Sequence, residues 1–234
     1  MRGLITLSSM RDEDVRRVLR DRLLATHAHD EGALLVEELG LCRGTVRVDL
    51  AIVNGILKGY EIKSERVTLV RLESQACIYS QVFDTVTLVV ADRHLAAAEA
   101  IVPPWWGIEV ATCDDASSVK LAVVRDEAAN PSVDAHSLAQ LLWRDEVIAI
   151  LEQLSPSKSF SSKPRKVLWE YLVSAVPLPD LKGAVRDSIK SRTGWRVDGQ
   201  QTPGGETCPL SSTWSDSRVL CAGSRNRRYI YRPS

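Results

Sequence analysis

The stretch YEIKSE, residues 60–65, places Glu61 and Lys63 two positions apart, so on a strand they share one face while Tyr60 and Ile62 take the other. Asp49 precedes Glu61 with eleven residues between them, and the turn signal Asn54–Gly55 lies in that interval. Two carboxylates converging beside an ammonium suit a hard cation. Mg²⁺, with Mn²⁺ as its substitute, takes oxygen ligands, keeps several waters and needs only a carboxylate or two plus a phosphate oxygen. Such an ion polarises a phosphodiester and acidifies a bound water. A lysine beside it positions or deprotonates that water and offsets phosphate charge. The carboxylates need the lysine in turn, because two of them close together without a cation are costly.

These side chains meet only in one class of hairpin register. A two-residue Asn54–Gly55 turn pairs Asp49 with Tyr60 and sends Glu61 to the opposite face. A three-residue loop of Val53, Asn54 and Gly55, with Gly55 left-handed, pairs Ile52 with Ile56 and Asp49 with Gly59. Asp49 then lies diagonal to Glu61 on the same face. The odd register is therefore predicted.

The elements that must position the hairpin follow from periodicity. Residues 11–28 carry Val15, Val18, Leu19, Leu23 and Leu24 on one helical stripe. Strands are expected over 33–41, 45–53 and 56–63, a helix over 66–83, a charge-free strand over 85–90, a short Ala-rich helix over 93–101, and a strand in the second half of PPWWGIEVAT. From residue 138 the pattern is helical, in LAQLLWRDEVIAILEQL, KPRKVLWEYLVSAV and PDLKGAVRDSIKSR. The expected organisation is an N-terminal extension (1–10), a mixed α/β domain (11–125), a linker (126–137), a helical extension (138–197) and a Gly/Ser/Pro-rich tail read as disordered (198–234).

Composition narrows the function classes. The 234 residues balance 30 Lys+Arg against 30 Asp+Glu, so any nucleic-acid contact must come from a local patch rather than from overall charge. No apolar run approaches the roughly 18 residues of a membrane span, and the N-terminal apolar run is too short for a secretory leader, so a cytoplasmic protein is expected. The five cysteines form no C-x-x-C pair and no metal spacing with the four histidines, to which no chemistry is assigned.

The spacing Asp49-x11-Glu61-Ile62-Lys63 across a hairpin resembles the D…(E/D)-x-K signature of the PD-(D/E)XK nuclease superfamily, with Val48 where that name has proline. The element order α-β-β-β-α-β is similar to its restriction-endonuclease-like core. The resemblance implies that Asp49 and Glu61 hold the metal and Lys63 is catalytic. It also implies a further acidic ligand upstream, Glu38 in preference to Glu37, with Glu13 and Asp14 as alternatives. QACIY places Gln75 and Tyr79 four apart on one helical face, resembling a Q-x-x-x-Y element that borders the site in some members. Arg71, one turn back, could reach a phosphate, as could Lys63. VRVDLAIVNGILKGYEIKS, FDTVTLVV and PPWWGIEV resemble, more narrowly, a bacterial nuclease-like subfamily with a helical C-terminal extension. The implied function is a Mg²⁺-dependent nuclease hydrolysing phosphodiester bonds in DNA. A non-catalytic nucleic-acid-binding or regulatory interaction protein that keeps the fold is the alternative. DNA is the expected partner, no membrane is involved, and the C-terminal helices could receive a protein partner or a second copy.

Three further features have structural readings first. One of Trp105 and Trp106 is expected to cap the core while the other is partly exposed. The basic run Lys158, Lys163, Arg165, Lys166 reads equally as a phosphate track or a solvated loop and helix start. The terminal RNRRYIYRP is read as a tail without function.

Overall fold

The computed structural model describes residues 10–114 and 118–192, so the readings of residues 1–9 and of the tail from 193 onward lie outside the described residues. Helix α1 (Asp12–Thr26) buries Val15, Leu19 and Leu23 at four-residue spacing, and Asp12, Glu13 and Asp14 complement the dipole at its start. Six strands follow: β1 (Leu34–Leu41), β2 (Val46–Asn54), β3 (Ile56–Lys63), β4 (Thr85–Ala91), β5 (Gly107–Cys113) and β6 (Val119–Arg125). They form one mixed sheet in sequence order. β1–β2, β2–β3 and β5–β6 pair antiparallel, β3–β4 and β4–β5 parallel.

The two parallel steps need crossovers, supplied by α2 (Leu72–Val82) and α3 (Leu95–Ile101). Both pack on the sheet face opposite α1. Helices α4 (Ala135–Ala139), α5 (Arg144–Leu154), α6 (Arg165–Ala175) and α7 (Leu178–Ser191) join that side, and Leu138, Leu168, Leu181 and Ile189 share one apolar cluster with Val86, Leu88 and Val90 of β4. On the other face Val15, Leu19 and Leu23 of α1 meet Leu50, Ile52, Tyr60, Ile62 and Val89. β4 is thus covered on both faces, which explains why it carries no charge.

The structure departs from the periodicity in three places. The helix expected over 66–83 starts at Leu72, because Val67, Thr68 and Val70 are β-branched and favour the turn that precedes it. The single helix expected over 138–154 is two, α4 and α5, and the Trp143 amide at the break donates to the Glu146 carboxylate at 2.7 Å. Strand β6 was not read from the sequence; its residues 122–124 are exposed and break the alternation. Segment 126–134 is held by the Asn130 amide, which donates to the carbonyls of Ser80 and Phe83 at 2.7 Å.

Trp106 is fully buried and stacks on Tyr79 with ring centres 6.0 Å apart, while Trp105 is half-buried. Behind the hairpin, a Cβ on Gly59 would stand 3.0 Å from the Phe83 ring. That ring is itself fixed edge-on against Tyr79 at 5.7 Å. Gly59→Ala is expected to lower stability by about 1–3 kcal/mol in chemical denaturation; an unchanged midpoint would show that the ring has room to move.

Candidate functional site: a polar cleft floored by Asp49 and Glu61

The hairpin closes more tightly than the expected three-residue loop. Asn54 pairs with Ile56, and Gly55 alone makes the turn at φ +64°, in the left-handed region. Ile52 therefore faces Lys58, and not Ile56. The register keeps the required parity: one step beyond Leu50–Tyr60 places Asp49 opposite Glu61 on a shared face. Asp49 also interrupts both ladders. The β1–β2 pairing runs to Glu37–Leu50, skips Glu38 and Asp49, and resumes at Leu39–Val48. Glu38 stands at φ +53°. Towards β3, the Asp49 carboxylate itself accepts the Ile62 amide at 2.7 Å, a side chain where a ladder bond would otherwise run.

The gap opens a cleft of about 450 Å³. Glu38, Asp49, Glu61, Lys63, Arg71 and Gln75 all line it, and Tyr79 is buried behind them. The structure thus brings together the residues that the sequence proposed. The Glu61 carboxylate accepts Lys63 Nζ at 2.5 Å and Gln75 Nε2 at 2.6 Å on one oxygen. Its other oxygen meets the Tyr79 hydroxyl at 2.6 Å. That hydroxyl also lies 2.8 Å from the Arg47 carbonyl, so one proton serves two acceptors. Asp49 Oδ1 accepts Arg16 Nη2 at 2.5 Å, and Arg16 Nη1 reaches Glu38 at 2.8 Å. Burial, and then the Glu61 charge, push the Asp49 carboxyl up to about 7 against the pull of Arg16, the Ile62 amide and Lys63. Burial and the same Glu61 charge push the Tyr79 phenol far above its usual range.

Several contributors escaped the sequence reading. Arg16 is central, and its signal was present: Arg16 and Arg20 sit four apart beside the buried Val15 and Leu19, on the helix edge facing the strand carboxylates. Glu37 is occupied by Arg20 at 2.9 Å. Of the acidic residues on α1, Glu13 is exposed and Asp14 lies 3.6 Å from Arg17. Asp12 is the one that lines the cleft, accepting the Ser64 amide at 3.2 Å. Arg47, also missed, lines the cleft from β2.

The arrangement suits a cation poorly. All four oxygens of Asp49 and Glu61 already accept protein donors. Among the described residues no group of three or more His, Cys, Asp or Glu stands ready to hold a metal ion. A divalent ion would have to displace Arg16 or Lys63, so no chemical step is routed through one. Lys63, expected to face a phosphate, is turned onto Glu61 and is almost wholly buried.

Fold and site together define a mixed α/β protein with a polar cleft, lined by charges of both signs, at an interrupted sheet. The chain belongs to the bacteriophage P4 protein cII family, whose description matches residues 7–198. Protein cII of Enterobacteria phage P4 is 28% identical over 160 residues, a span of 68% of this chain and 60% of that relative's length. A solved protein of unknown function from Silicibacter pomeroyi is similar at 21% identity and a TM-score of 0.34, over 61% of this chain and 94% of its own, a likeness too slight to bear on fold or function.

Family membership overturns the resemblance to PD-(D/E)XK nucleases, and with it the readings as nuclease, endonuclease and hydrolase. The physical reason is that the pattern rests on three charged residues of one hairpin. A buried ion pair at a ladder break, here Glu61–Lys63 beside Asp49–Arg16, needs the same residue types at the same spacing.

Proposed function

We propose that this protein is a regulatory interaction protein that binds nucleic acid through the cleft and leaves it uncut. One observation carries this reading. Arg16 and Lys63 are committed to the carboxylates. Arg47 and Arg71 line the same cleft with no carboxylate partner among the described residues, and both are exposed. In a chain of zero net charge, such a local pair supplies the contact to phosphate. In this reading the protein acts in the cytoplasm. Among the described residues no helix is long and apolar enough to cross a membrane. Mg²⁺ or Mn²⁺ enters as a competitor of Arg16 and Lys63 for Asp49 and Glu61. A protein partner or second copy would meet the exposed Trp143, Leu154 and Tyr171 of the C-terminal helices.

The test is fluorescence anisotropy of the full chain with labelled single- and double-stranded DNA and RNA over a salt series. Binding should weaken with salt at a slope of about −0.7 to −0.9 per phosphate contact, and the oligonucleotide should be recovered full length. No salt-sensitive binding to any of these probes would overturn the proposal.

A further inference from the structure

The cleft holds more than the two arginines. Gln75 Nε2 donates to the Glu61 carboxylate, which in ionised form can only accept. This fixes the amide orientation, since flipping it would set oxygen against oxygen. The fixed Gln75 Oε1 is buried and accepts nothing among the described residues. A buried acceptor without a donor is costly, so a cleft-lining one points to a ligand that brings an O–H or N–H.

The rim is strained. Among the described residues the three non-glycine positions at positive φ are Glu38 at +53°, Cys42 at +46° and Arg43 at +61°, with Gly44 following at +83°. All lie on β1 or the loop that leads into β2, and Glu38, Gly44, Thr45 and Arg47 line the cleft. Left-handed non-glycine backbone costs on the order of 1–3 kcal/mol per residue and is retained where a ligand clamp needs it. Facing this lip, Arg71 at the N-cap of α2 and Ser74 and Gln75 in its first turn line the cleft, with the helix dipole favouring an anion.

Size decides the ligand. A cleft of about 450 Å³ lies in the range of small-ligand sites and admits a nucleotide unit, but not a duplex. We infer that the cleft takes a single phosphate-bearing nucleotide, its phosphate gripped between Arg47 and Arg71 and a hydroxyl or amino group donated to Gln75 Oε1. This rests on the nucleic-acid reading above and narrows it. The nucleotide is either free or the phosphorylated end of a single strand.

The test titrates the full chain by calorimetry and anisotropy with AMP, with a short 5′-phosphorylated single strand, with the same strand lacking that phosphate, and with its duplex. Arg47→Ala and Arg71→Ala should each weaken binding of the phosphorylated probes on the order of tenfold and lower the salt slope by about 0.7–1. Arg47→Lys should fall between, keeping charge but losing the fork. Arg93→Ala, an equal charge change outside the cleft, should leave affinity unaltered, and matched thermal midpoints would show that every variant folds. AMP binding as tightly as the strand assigns the free nucleotide; a strand binding far more tightly assigns the chain end; both support the inference. Equal affinity with and without the terminal phosphate, duplex bound as tightly as single strand, or unaltered binding in both arginine-to-alanine variants would overturn the inference while the nucleic-acid reading stands. Failure of the native chain to bind any probe would overturn both.

Discussion

Lys63→Met is expected to destabilise the fold by roughly 3–5 kcal/mol, the cost of leaving a buried carboxylate without its cation. Lys63 and Glu61 are 5% and 3% exposed and 2.5 Å apart, so water cannot replace the lost ammonium. Gln75 and Tyr79 would still donate to Glu61, and these neutral donors recover only part of the loss. The double variant Lys63→Met, Glu61→Gln removes both charges and keeps an acceptor for Tyr79, so it should regain most of the stability. Chemical denaturation of the four proteins in this cycle measures the coupling. A Lys63→Met loss below about 1 kcal/mol would mean the pair behaves as a solvated one.

The second large effect concerns pH. The Asp49 carboxyl is raised by burial and by Glu61 to about 7 in the fold, from 3.8 as a free side chain. The folded state therefore binds a proton that the unfolded state has already lost between these values, and stability falls as pH rises through that window. The shift corresponds to up to about 4 kcal/mol, and coupling to Glu61 brings the expected observable loss to roughly 2 kcal/mol. Asp49→Asn abolishes the titration. Its stability relative to the native protein should therefore improve from pH 4 to pH 8, measured by denaturant midpoints. A constant difference across that range would show that Asp49 does not titrate there.

The layered α/β plan was legible where one periodicity ruled a whole element, as in α1, the hairpin strands and the charge-free β4. It was less so where a local event overrode the period. Glu146 caps α5 through a backbone amide, so the apolar stripe across 138–154 runs on through a break between two helices. The parity of the Asp49–Glu61 face could be argued from charge alone, but the one-residue turn at Gly55 could not, since Asn-Gly favours a two-residue loop. At the site, residues on consecutive strands were found because a period of two places them. Arg16 was missed because its four-residue spacing from Arg20 marks a shared helix edge but not which carboxylates that edge meets, which depends on where α1 crosses the sheet. Three charges on a hairpin carry too little information to separate a buried ion pair from a catalytic centre, and family membership decided between them.

The packing of α7 also sets a timetable for synthesis. Lys182 pairs with Asp84 at 2.7 Å, and Asp84 accepts the Leu57 amide at 2.8 Å. Val185 and Ile189 fill the cluster that covers the sheet. The face of β2 and β3 behind the cleft is thus completed by residues translated long after the hairpin, on the order of ten seconds later at ordinary elongation rates. During that interval the nascent sheet shows a bare apolar surface to solvent, and holdase chaperones should protect it until α7 emerges.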